Sequence, residues 1–405
     1  MWPLAMSLSG CQMPDPASAK PADAAPVSFA ERVVRWQQKL GRHDLPWQNT
    51  RDPYRIWLSE IMLQQTQVGT VIPYYERFLA RFPDIASLAA APLDTVMECW
   101  AGLGYYSRAR NLHRAARQMV ELHDGRMPRT REAIEQLPGI GRSTAAAIAT
   151  FSFGAREAIL DGNVKRVLAR HRAVAGDPGS SAVLARLWQI AESALPRAAT
   201  DLSGADGPAS VRPADDSPES PEAPVLRAYC QGLMDLGATV CTRGQPGCQR
   251  CPVADDCMAR LQDRVHELPA PRVRRAQPIR AATMLVLRRD DQVLLEQRPA
   301  RGIWGGLWSL PELDPGADAS LVALERYGVE VLEVFPLPGL RHGFTHFTLD
   351  IAPLHVRVRD SVAQVAEPAT RWFALTEAGS AAVPVPVRRI LQSLATPLPD
   401  DLLAD

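Results

Sequence analysis

Four of the seven cysteines lie within one stretch of 17 residues, and this cluster constrains the fold more than any other feature of the chain. Their spacing is C-x6-C-x2-C-x5-C, formed by Cys241, Cys248, Cys251 and Cys257. Four thiolates on one short loop can surround a single metal ion or a cubane centre. Such crowding is typical of a metal site in a reducing compartment and not of a secreted disulfide framework. Zinc ribbons usually carry two CxxC pairs, and only one occurs here, so the spacing does not favour zinc.

Acidic and basic residues are equal in number, 45 of each, but they are unevenly placed. Residues 201–224 contain six acidic residues and one arginine, and Pro, Ser, Gly or Ala fills most other positions. Such a segment buries too little apolar surface to fold, so we predict a disordered acidic insertion. The rest of the chain is therefore net basic, which is compatible with a nucleic-acid partner.

Length and hydrophobic periodicity divide the 405 residues into domains. Apolar residues at three- and four-residue spacing predict helices from Phe29 to about Ala199. Beyond Arg280 the pattern predicts strands at 281–288, 292–296, 331–336 and 346–358, with helices at 318–327 and 384–394. The predicted parts are an N-terminal disordered extension (1–27), an all-α domain with the insertion (28–260), a connector (261–279), an α+β domain (280–395) and an acidic tail (396–405).

The segment Leu137-Pro138-Gly139-Ile140-Gly141 predicts a tight turn between two helices. Gly139 and Gly141 permit the turn, and the free N–H groups of the helix that follows attract phosphate oxygens. The segment LDGNVKRVLAR places Asp161 about twenty residues later. Taken alone, LPGIG is equally compatible with a plain helix–turn–helix connection, and Asp161 with a helix cap.

Together, the turn, Asp161 and the cysteine spacing resemble the helix-hairpin-helix Gly/Pro/Asp glycosylase superfamily. The cysteine pattern is similar to the single [4Fe–4S] loop of the endonuclease III and MutY glycosylases. This resemblance implies that the four cysteines hold a [4Fe–4S] cluster and that Asp161 is catalytic, with Asn163 beside it.

A second carboxylate is needed to cut the bond between a purine and its sugar, because the leaving base must be protonated while an anion stabilises the sugar cation. Glu60 lies among apolar neighbours in the block WLSEIMLQQTQV, where desolvation raises the pKa of a carboxyl. A lone helical glutamate is more often a partly exposed surface residue. The block, however, looks nearly identical to the catalytic segment of MutY-type adenine DNA glycosylases, and this resemblance implies that Glu60 protonates the adenine.

Position 143 separates two branches of this superfamily. The resemblance implies that bifunctional members carry a lysine there, which attacks the sugar as a Schiff-base nucleophile. This chain has Ser143, which cannot form an imine, and Lys165 is the only other lysine in the catalytic region. We therefore expect a monofunctional enzyme that releases the base and leaves an abasic site.

Opening of the duplex is expected to involve two further segments, because the target base must leave the stack. The block Gly102–Asn111 resembles the family's wedge loop, in which Leu103 and Tyr105 would enter the duplex. By the same resemblance, Gln65 and Thr66 would meet the strand opposite the gap.

Other residues are assigned to the substrate almost wholly by resemblance. Trp47 and Gln231, in LPWQ and CQGLMDLGA, match the adenine-pocket positions of the family.

The α+β domain resembles the Nudix-like module that MutY enzymes carry and endonuclease III lacks. Active Nudix hydrolases bind a divalent metal through a glutamate-rich helix, but the stretch 318–327 has only Glu325, so we expect no pyrophosphatase activity. Phe344, Thr345 and His346 match the loop that senses 8-oxoguanine, usually written F-S-H. The threonine departs from that pattern, although its hydroxyl can still hydrogen-bond the oxidised base edge.

These patterns predict a monofunctional DNA glycosylase that removes adenine opposite 8-oxoguanine or guanine in double-stranded DNA. We expect a monomer in the cytoplasm, associated with the nucleoid, because no apolar run approaches the roughly 20 residues of a membrane span and no signal sequence is evident. The alternatives are an endonuclease III-like pyrimidine glycosylase and lyase, a non-catalytic iron–sulfur DNA-binding protein, and a Nudix hydrolase with a DNA-binding appendage.

Overall fold

The computed structural model describes residues 27–196, 219–271, 277–299, 302–344, 346–360 and 369–395. Several predictions fall outside these ranges. They concern the N-terminal extension up to residue 26, the insertion up to residue 218, Thr345 and the acidic tail.

Helices form the whole of the described chain before the connector, as the periodicity predicts. Their bounds are α1 (Phe29–Leu40), α2 (Pro53–Leu63), α3 (Val68–Arg81), α4 (Ile85–Ala90), α5 (Leu93–Trp100), α6 (Ser107–Leu122), α7 (Arg131–Glu135), α8 (Arg142–Phe153), α9 (Gly162–His171), α10 (Ser181–Ser193), α11 (Ala223–Thr239) and α12 (Met258–Leu261), with a 3-10 turn at Cys248–Arg250.

Side-chain caps start the two helices that carry the candidate carboxylates. Asp52 accepts a hydrogen bond from the backbone N–H of Tyr54, and Pro53 occupies the first turn of α2, where it needs no donor. Asp161 caps α9 in the same way, through the N–H of Val164. Both helices therefore begin at defined residues, which fixes the register of the side chains on them.

The predicted end of the acidic insertion is too late. Helix α11 begins at Ala223, and Glu219 before it pairs with Arg51 and Arg227. These two arginines compensate the charge of Glu219, so an acidic residue that looked solvated from composition alone is held against the helical domain.

Two apolar clusters make up the helical core. One joins α2, α3, α5, α6 and part of α8, and the other joins α1, α9, α10, α11 and the opposite face of α8. Helix α8 contributes to both because its small residues, such as Ala145 and Ala147, allow close packing on either side. The candidate site lies between the two clusters.

A mixed sheet with flanking helices forms the rest of the described chain, as expected for an α+β domain. Strand β1 runs parallel to β7, from Ile279 beside Thr348 to Arg288 beside Arg357, and β2 returns antiparallel after the turn at Asp290. The strand order is β3-β2-β1-β7-β5, with β4 on β1, β6 on β7 and β8 on β2. The bounds are β1 (Ile279–Arg289), β2 (Gln292–Gln297), β3 (Trp308–Ser309), β4 (Glu312–Leu313), α13 (Ala319–Tyr327), β5 (Val329–Pro336), β6 (Leu340–Gly343), β7 (Thr348–Asp360), β8 (Thr370–Ala374), α14 (Leu375–Ala378) and α15 (Val385–Ala395).

The α+β domain packs against the start of the helical domain's α6. The guanidinium of Arg110 donates to the carbonyl of Gly305, and the side chain of Gln297 donates to Asp94 at 3.1 Å. Trp304 is buried in the same apolar cluster as α6. Among the described residues, no helix is both long and apolar enough to cross a bilayer.

Candidate active site

Glu60 and Asp161 line one open cavity of about 1250 Å³ between the two helical clusters. Glu60 projects from the last turns of α2, and Asp161 lies at the N-terminus of α9. Burial, reinforced by the nearby charge of Asp161, raises the pKa of Glu60 from 4.5 to about 8. The two carboxyl groups that the sequence predicts as partners, 101 positions apart, are therefore brought to one cavity.

Hydrogen bonds make Asp161 the better anion of the pair. Its Oδ1 accepts the backbone N–H of Val164 at 2.8 Å, and its Oδ2 accepts the amide of Asn163 at 3.0 Å. Burial raises the pKa of Asp161, but these donors and the charge of Arg166 oppose that rise. Among the described residues, no hydrogen-bond donor stabilises the ionised form of Glu60. Of the two carboxyl groups, Glu60 is therefore the one that is protonated near neutral pH.

Ser143 lies in the first turn of α8 and also lines the cavity. Its hydroxyl accepts the backbone N–H of Leu160 at 3.0 Å, so it holds the residue directly before Asp161. None of the described residues that line the cavity is a lysine. Position 143 thus carries a hydroxyl that supports the backbone, and the described lining around it contains no lysine amine.

The turn before α8 has the tight geometry that its glycines predict. Gly139 adopts a φ of +80°, and a β-carbon there would lie 2.7 Å from the β-carbon of Asn111. Gly141 precedes the first turn of α8, and the structure gives it no side-chain cap. The N–H groups of that turn therefore need a partner from outside the helix.

Trp47 and Gln231 both line the cavity that contains the carboxylates. Trp47 packs edge-on against Tyr75, with ring centroids 5.4 Å apart, so one face of the cavity is a fixed aromatic wall. Gln65 and Thr66 lie at the mouth, just after α2, and Gln65 is exposed with a φ of +58°.

The predicted wedge loop is only partly exposed. Tyr105 is 44% exposed and adopts a φ of +49°, next to a second cavity of about 180 Å³ that the turn at Gly139 also lines. Leu103 is only 5% exposed and packs in the apolar core. A wedge residue is expected on the surface, but Leu103 is not, because burial in the apolar core stabilises its side chain more than a place on the surface turn would. Of the two side chains, only that of Tyr105 is exposed in this structure, and their entry into a duplex stays a prediction.

Arg108 is a structural residue of this site that no sequence pattern indicated. It is buried at the start of α6, and its guanidinium donates to the carbonyls of Met62 and Gln64 at the end of α2, at 2.7 and 2.5 Å. It also donates to the Thr66 hydroxyl and the Gly104 carbonyl. Burial lowers the pKa of Arg108 to about 10. One cation thus ties the helix of Glu60 to the loop of Tyr105.

The four clustered cysteines line one small cavity of about 20 Å³ beyond the end of α11. Burial, with smaller contributions from the neighbouring thiols of Cys241, Cys257 and Cys248, raises the pKa of Cys251 to about 12. Within the described ranges, no three His, Cys, Asp or Glu side chains are already arranged as a metal site.

Two arginines of α9 contact the cysteine loop, and one of them, Arg166, also contacts the candidate active site. Arg166 donates to the carbonyl of Cys241 at 2.7 Å and to the side-chain oxygen of Asn163 at 2.9 Å. Arg170 donates to the sulfur of Cys241 at 3.3 Å and to the carbonyl of Thr242 at 2.7 Å. The guanidinium of Arg166 therefore connects the cysteine loop to Asn163, whose amide donates to Asp161.

The described residues of the predicted lesion-reading loop, Phe344 and His346, lie between β6 and β7. The N–H of Phe344 donates to the carbonyl of Phe347 at 2.8 Å, and their rings stack 4.4 Å apart. Trp304 packs against Phe344 with centroids 5.6 Å apart, and His346 is exposed at the tip. Thr345 lies outside the described residues.

Comparison with known proteins gives two matching family models. Residues 58–193 match the HhH-GPD superfamily of base excision DNA repair proteins, and residues 282–393 match the NUDIX domain. A curated relative from Buchnera aphidicola subsp. Baizongia pistaciae, named adenine DNA glycosylase, is 32% identical over 367 residues, which cover 90% of this chain and 96% of the relative. The mouse (Mus musculus) protein of the same name is 34% identical over 438 residues, covering 92% and 79% of the two chains. The solved structure of a thermostable thymine-DNA glycosylase covers 58% of this chain and 95% of its own, with 28% identity and a TM-score of 0.47.

Proposed function

Because the chain belongs to the adenine DNA glycosylase family of base excision repair, we propose that it removes adenine paired with 8-oxoguanine, or with guanine, in double-stranded DNA. The pair of Glu60 and Asp161 on one cavity is the observation that carries the proposal. A cavity of about 1250 Å³ is large enough to admit one extruded nucleoside between the two groups.

The proposed reaction uses the two carboxyl groups in different charge states. Glu60, protonated near neutral pH, donates its proton to a ring nitrogen of the flipped adenine, so that the base leaves as a neutral molecule. The C–N bond breaks, and the carboxylate of Asp161 stabilises the positive charge that develops on the sugar. Glu60, now ionised, accepts a proton from the water that adds to the sugar. The product is an abasic site.

We expect no efficient strand cleavage after base release. Ser143 stands where a bifunctional enzyme would need an amine, and its hydroxyl is engaged with the backbone of Leu160. The described cavity lining contains no lysine amine. Without a lysine amine, no residue of the described lining can form a Schiff base with the opened sugar.

Recognition of the mispair is proposed to divide between the two domains. Tyr105 would fill the space that the flipped adenine leaves, with Gln65 and Thr66 near the opposite strand, while the glycine turn and the first N–H groups of α8 contact phosphates. The exposed His346, beside the ring stack of Phe344, would read the oxidised edge of 8-oxoguanine together with Thr345 of the same sequence motif. Nudix hydrolysis is not proposed, because Glu325 is the only glutamate of α13 and cannot bind a divalent metal alone. The neighbouring Arg326 forms an ion pair with Glu296 of β2.

A [4Fe–4S] cluster is proposed for the loop of Cys241, Cys248, Cys251 and Cys257. Four thiols that line one small cavity suit this cofactor, because a cationic centre converts buried thiols to thiolates. Arg170 donates to one of the sulfurs, a contact typical of residues that support a cluster. When bound, the cluster would hold the loop rigid, and the protein residues would perform the base excision.

One assay tests the reaction. Duplexes that contain adenine opposite 8-oxoguanine, or thymine glycol, are incubated with wild-type protein and Glu60→Gln, with and without alkali. We expect strand breaks only in the adenine duplex, only after alkali, and only with wild type. Breaks in the thymine glycol duplex without alkali would favour the pyrimidine glycosylase alternative, and an unchanged Glu60→Gln variant would refute the proposal.

A further inference from the structure

Asp235, on α11, is a carboxylate that is fully buried beside the cavity and has no part in the bond cleavage proposed above. Its Oδ2 accepts the backbone N–H of Arg42 at 3.0 Å. Its Oδ1 accepts from the Nε of Arg42 at 2.8 Å and from the Nε2 of Gln231 at 2.9 Å. Burial of a carboxylate costs free energy, and the surrounding donors offset that cost without a clear net gain in stability. Stability alone therefore does not account for Asp235.

Asp235 forms an ion pair with Arg42. The second guanidinium nitrogen of Arg42 also lies 2.7 Å from Oδ1, so the contact is a charge-assisted fork. An ionised carboxylate can only accept hydrogen bonds. Whatever group of Gln231 faces Asp235 must therefore be a donor.

This requirement fixes the orientation of the Gln231 amide. Its NH₂ group faces Asp235, so its carbonyl oxygen Oε1 points to the other side, and Gln231 lines the cavity. In the part of the chain that the structure describes, Oε1 has no hydrogen-bond partner and is not enclosed. The cavity thus presents a hydrogen-bond acceptor at this point of its wall.

The same helix is held tightly against the helix of the catalytic aspartate. A β-carbon on Gly237 would lie 2.6 Å from the β-carbon of Asn163, so only glycine allows this approach. Arg166 donates to the carbonyl of Gly237 at 2.6 Å and to Asn163. The acceptor of Gln231 is therefore held in a fixed position relative to Asp161.

We infer that Asp235 is a positioning residue that makes the cavity select purines with an amino group at carbon 6. Locked by Asp235, Gln231 offers an acceptor to the exocyclic amine of adenine. A 6-oxo purine would place its own acceptor against that oxygen, leaving both unpaired. The inference rests on the proposed function, since it concerns the base that enters the same cavity.

Hypoxanthine is the probe that tests this selection, because it carries an oxygen at carbon 6 and keeps the ring nitrogen N7. Single-turnover base release is measured on duplexes with adenine or hypoxanthine opposite 8-oxoguanine. The proteins are wild type, Asp235→Leu, Asp235→Asn and Gln231→Leu. Thr239→Val is the matched control, because it removes a hydrogen bond to the backbone of Asp235 on the same helix without touching Gln231.

The readout is the ratio of adenine release to hypoxanthine release, compared between proteins on the same two duplexes. We expect wild type to favour adenine and Asp235→Leu to lower the ratio by about 10- to 100-fold, the range that one unpaired buried polar group produces. Asp235→Asn keeps an acceptor for Gln231 and should retain most of the ratio, as should Thr239→Val. Gln231→Leu should lower the ratio as much as Asp235→Leu, and the double variant no further.

Two results would overturn the inference. One is a wild type without preference between the bases. The other is an Asp235→Leu variant that loses both activities equally, which indicates a purely structural role. If that variant does not fold, Asp235→Ser, whose side chain is too short to reach Gln231, takes its place, and an unchanged ratio for it would overturn the inference as well. A wild type that releases neither base refutes the proposed function instead.

Discussion

Replacement of Glu60 by glutamine should abolish activity and stabilise the fold. Glu60 has a pKa raised from 4.5 to about 8, so the folded state binds its proton more tightly than the unfolded state does. The free energy of unfolding therefore falls as the pH rises from about 4.5 to 8, and is level outside that window. Glutamine has the same shape and no charge to bury. At pH 7 the variant should gain about 3 kcal/mol, and at pH 5 under about 1 kcal/mol.

Urea unfolding midpoints of wild type and Glu60→Gln, measured in parallel at pH 5, 6, 7 and 8, test this expectation. Glu121→Gln, an exposed position on α6, is the matched control and should show no pH-dependent gain. A stability gain that grows with pH only for Glu60→Gln is the predicted result. A constant difference across the pH range, or a variant less stable than wild type at pH 7, would refute a protonated Glu60 in the folded state.

Three further substitutions test the supporting residues. Arg108→Met should lower stability by about 3 kcal/mol, because it leaves carbonyls of α2 and the wedge loop without their donor; urea unfolding measures this, and a loss under about 1 kcal/mol would contradict it. Tyr105→Ala should slow single-turnover adenine release about tenfold, since nothing then offsets the lost base stacking, whereas an equal loss for adenine already placed in single-stranded DNA would speak against a wedge. Phe344→Ala should reduce the preference for 8-oxoguanine over guanine opposite the adenine, and an unchanged ratio of the two rates would exclude its ring stack from lesion reading.

Local sequence patterns predicted the two-part fold and singled out two carboxyl groups that the structure places at one cavity. Periodicity located the long strands β1, β5 and β7 to within two residues at every bound, because each combines an apolar run with flanking turn residues. The strands Trp308–Ser309 and Glu312–Leu313 were not predicted. Two-residue strands have no period of their own and exist only through pairing with β2 and β1.

Residues that act through distant partners were beyond the reach of such patterns. Arg108 contacts carbonyls more than 40 positions away, and Asp235 pairs with Arg42, 193 positions away. Their spacing to neighbours resembles that of ordinary surface charges, so only the folded chain reveals their burial. Leu103 shows the opposite limit, because resemblance to a wedge loop predicted that it enters the duplex, whereas its side chain packs in the core.

The pH dependence of single-turnover adenine release tests the central claim most directly. If Glu60 delivers the proton, the rate should be level at and below about pH 7 and fall about tenfold per pH unit above the pKa of about 8. A rate that stays level to about pH 9.5, or that rises through pH 8, would show that a proton on Glu60 is not required, and the assignment of the two carboxyl groups would fail.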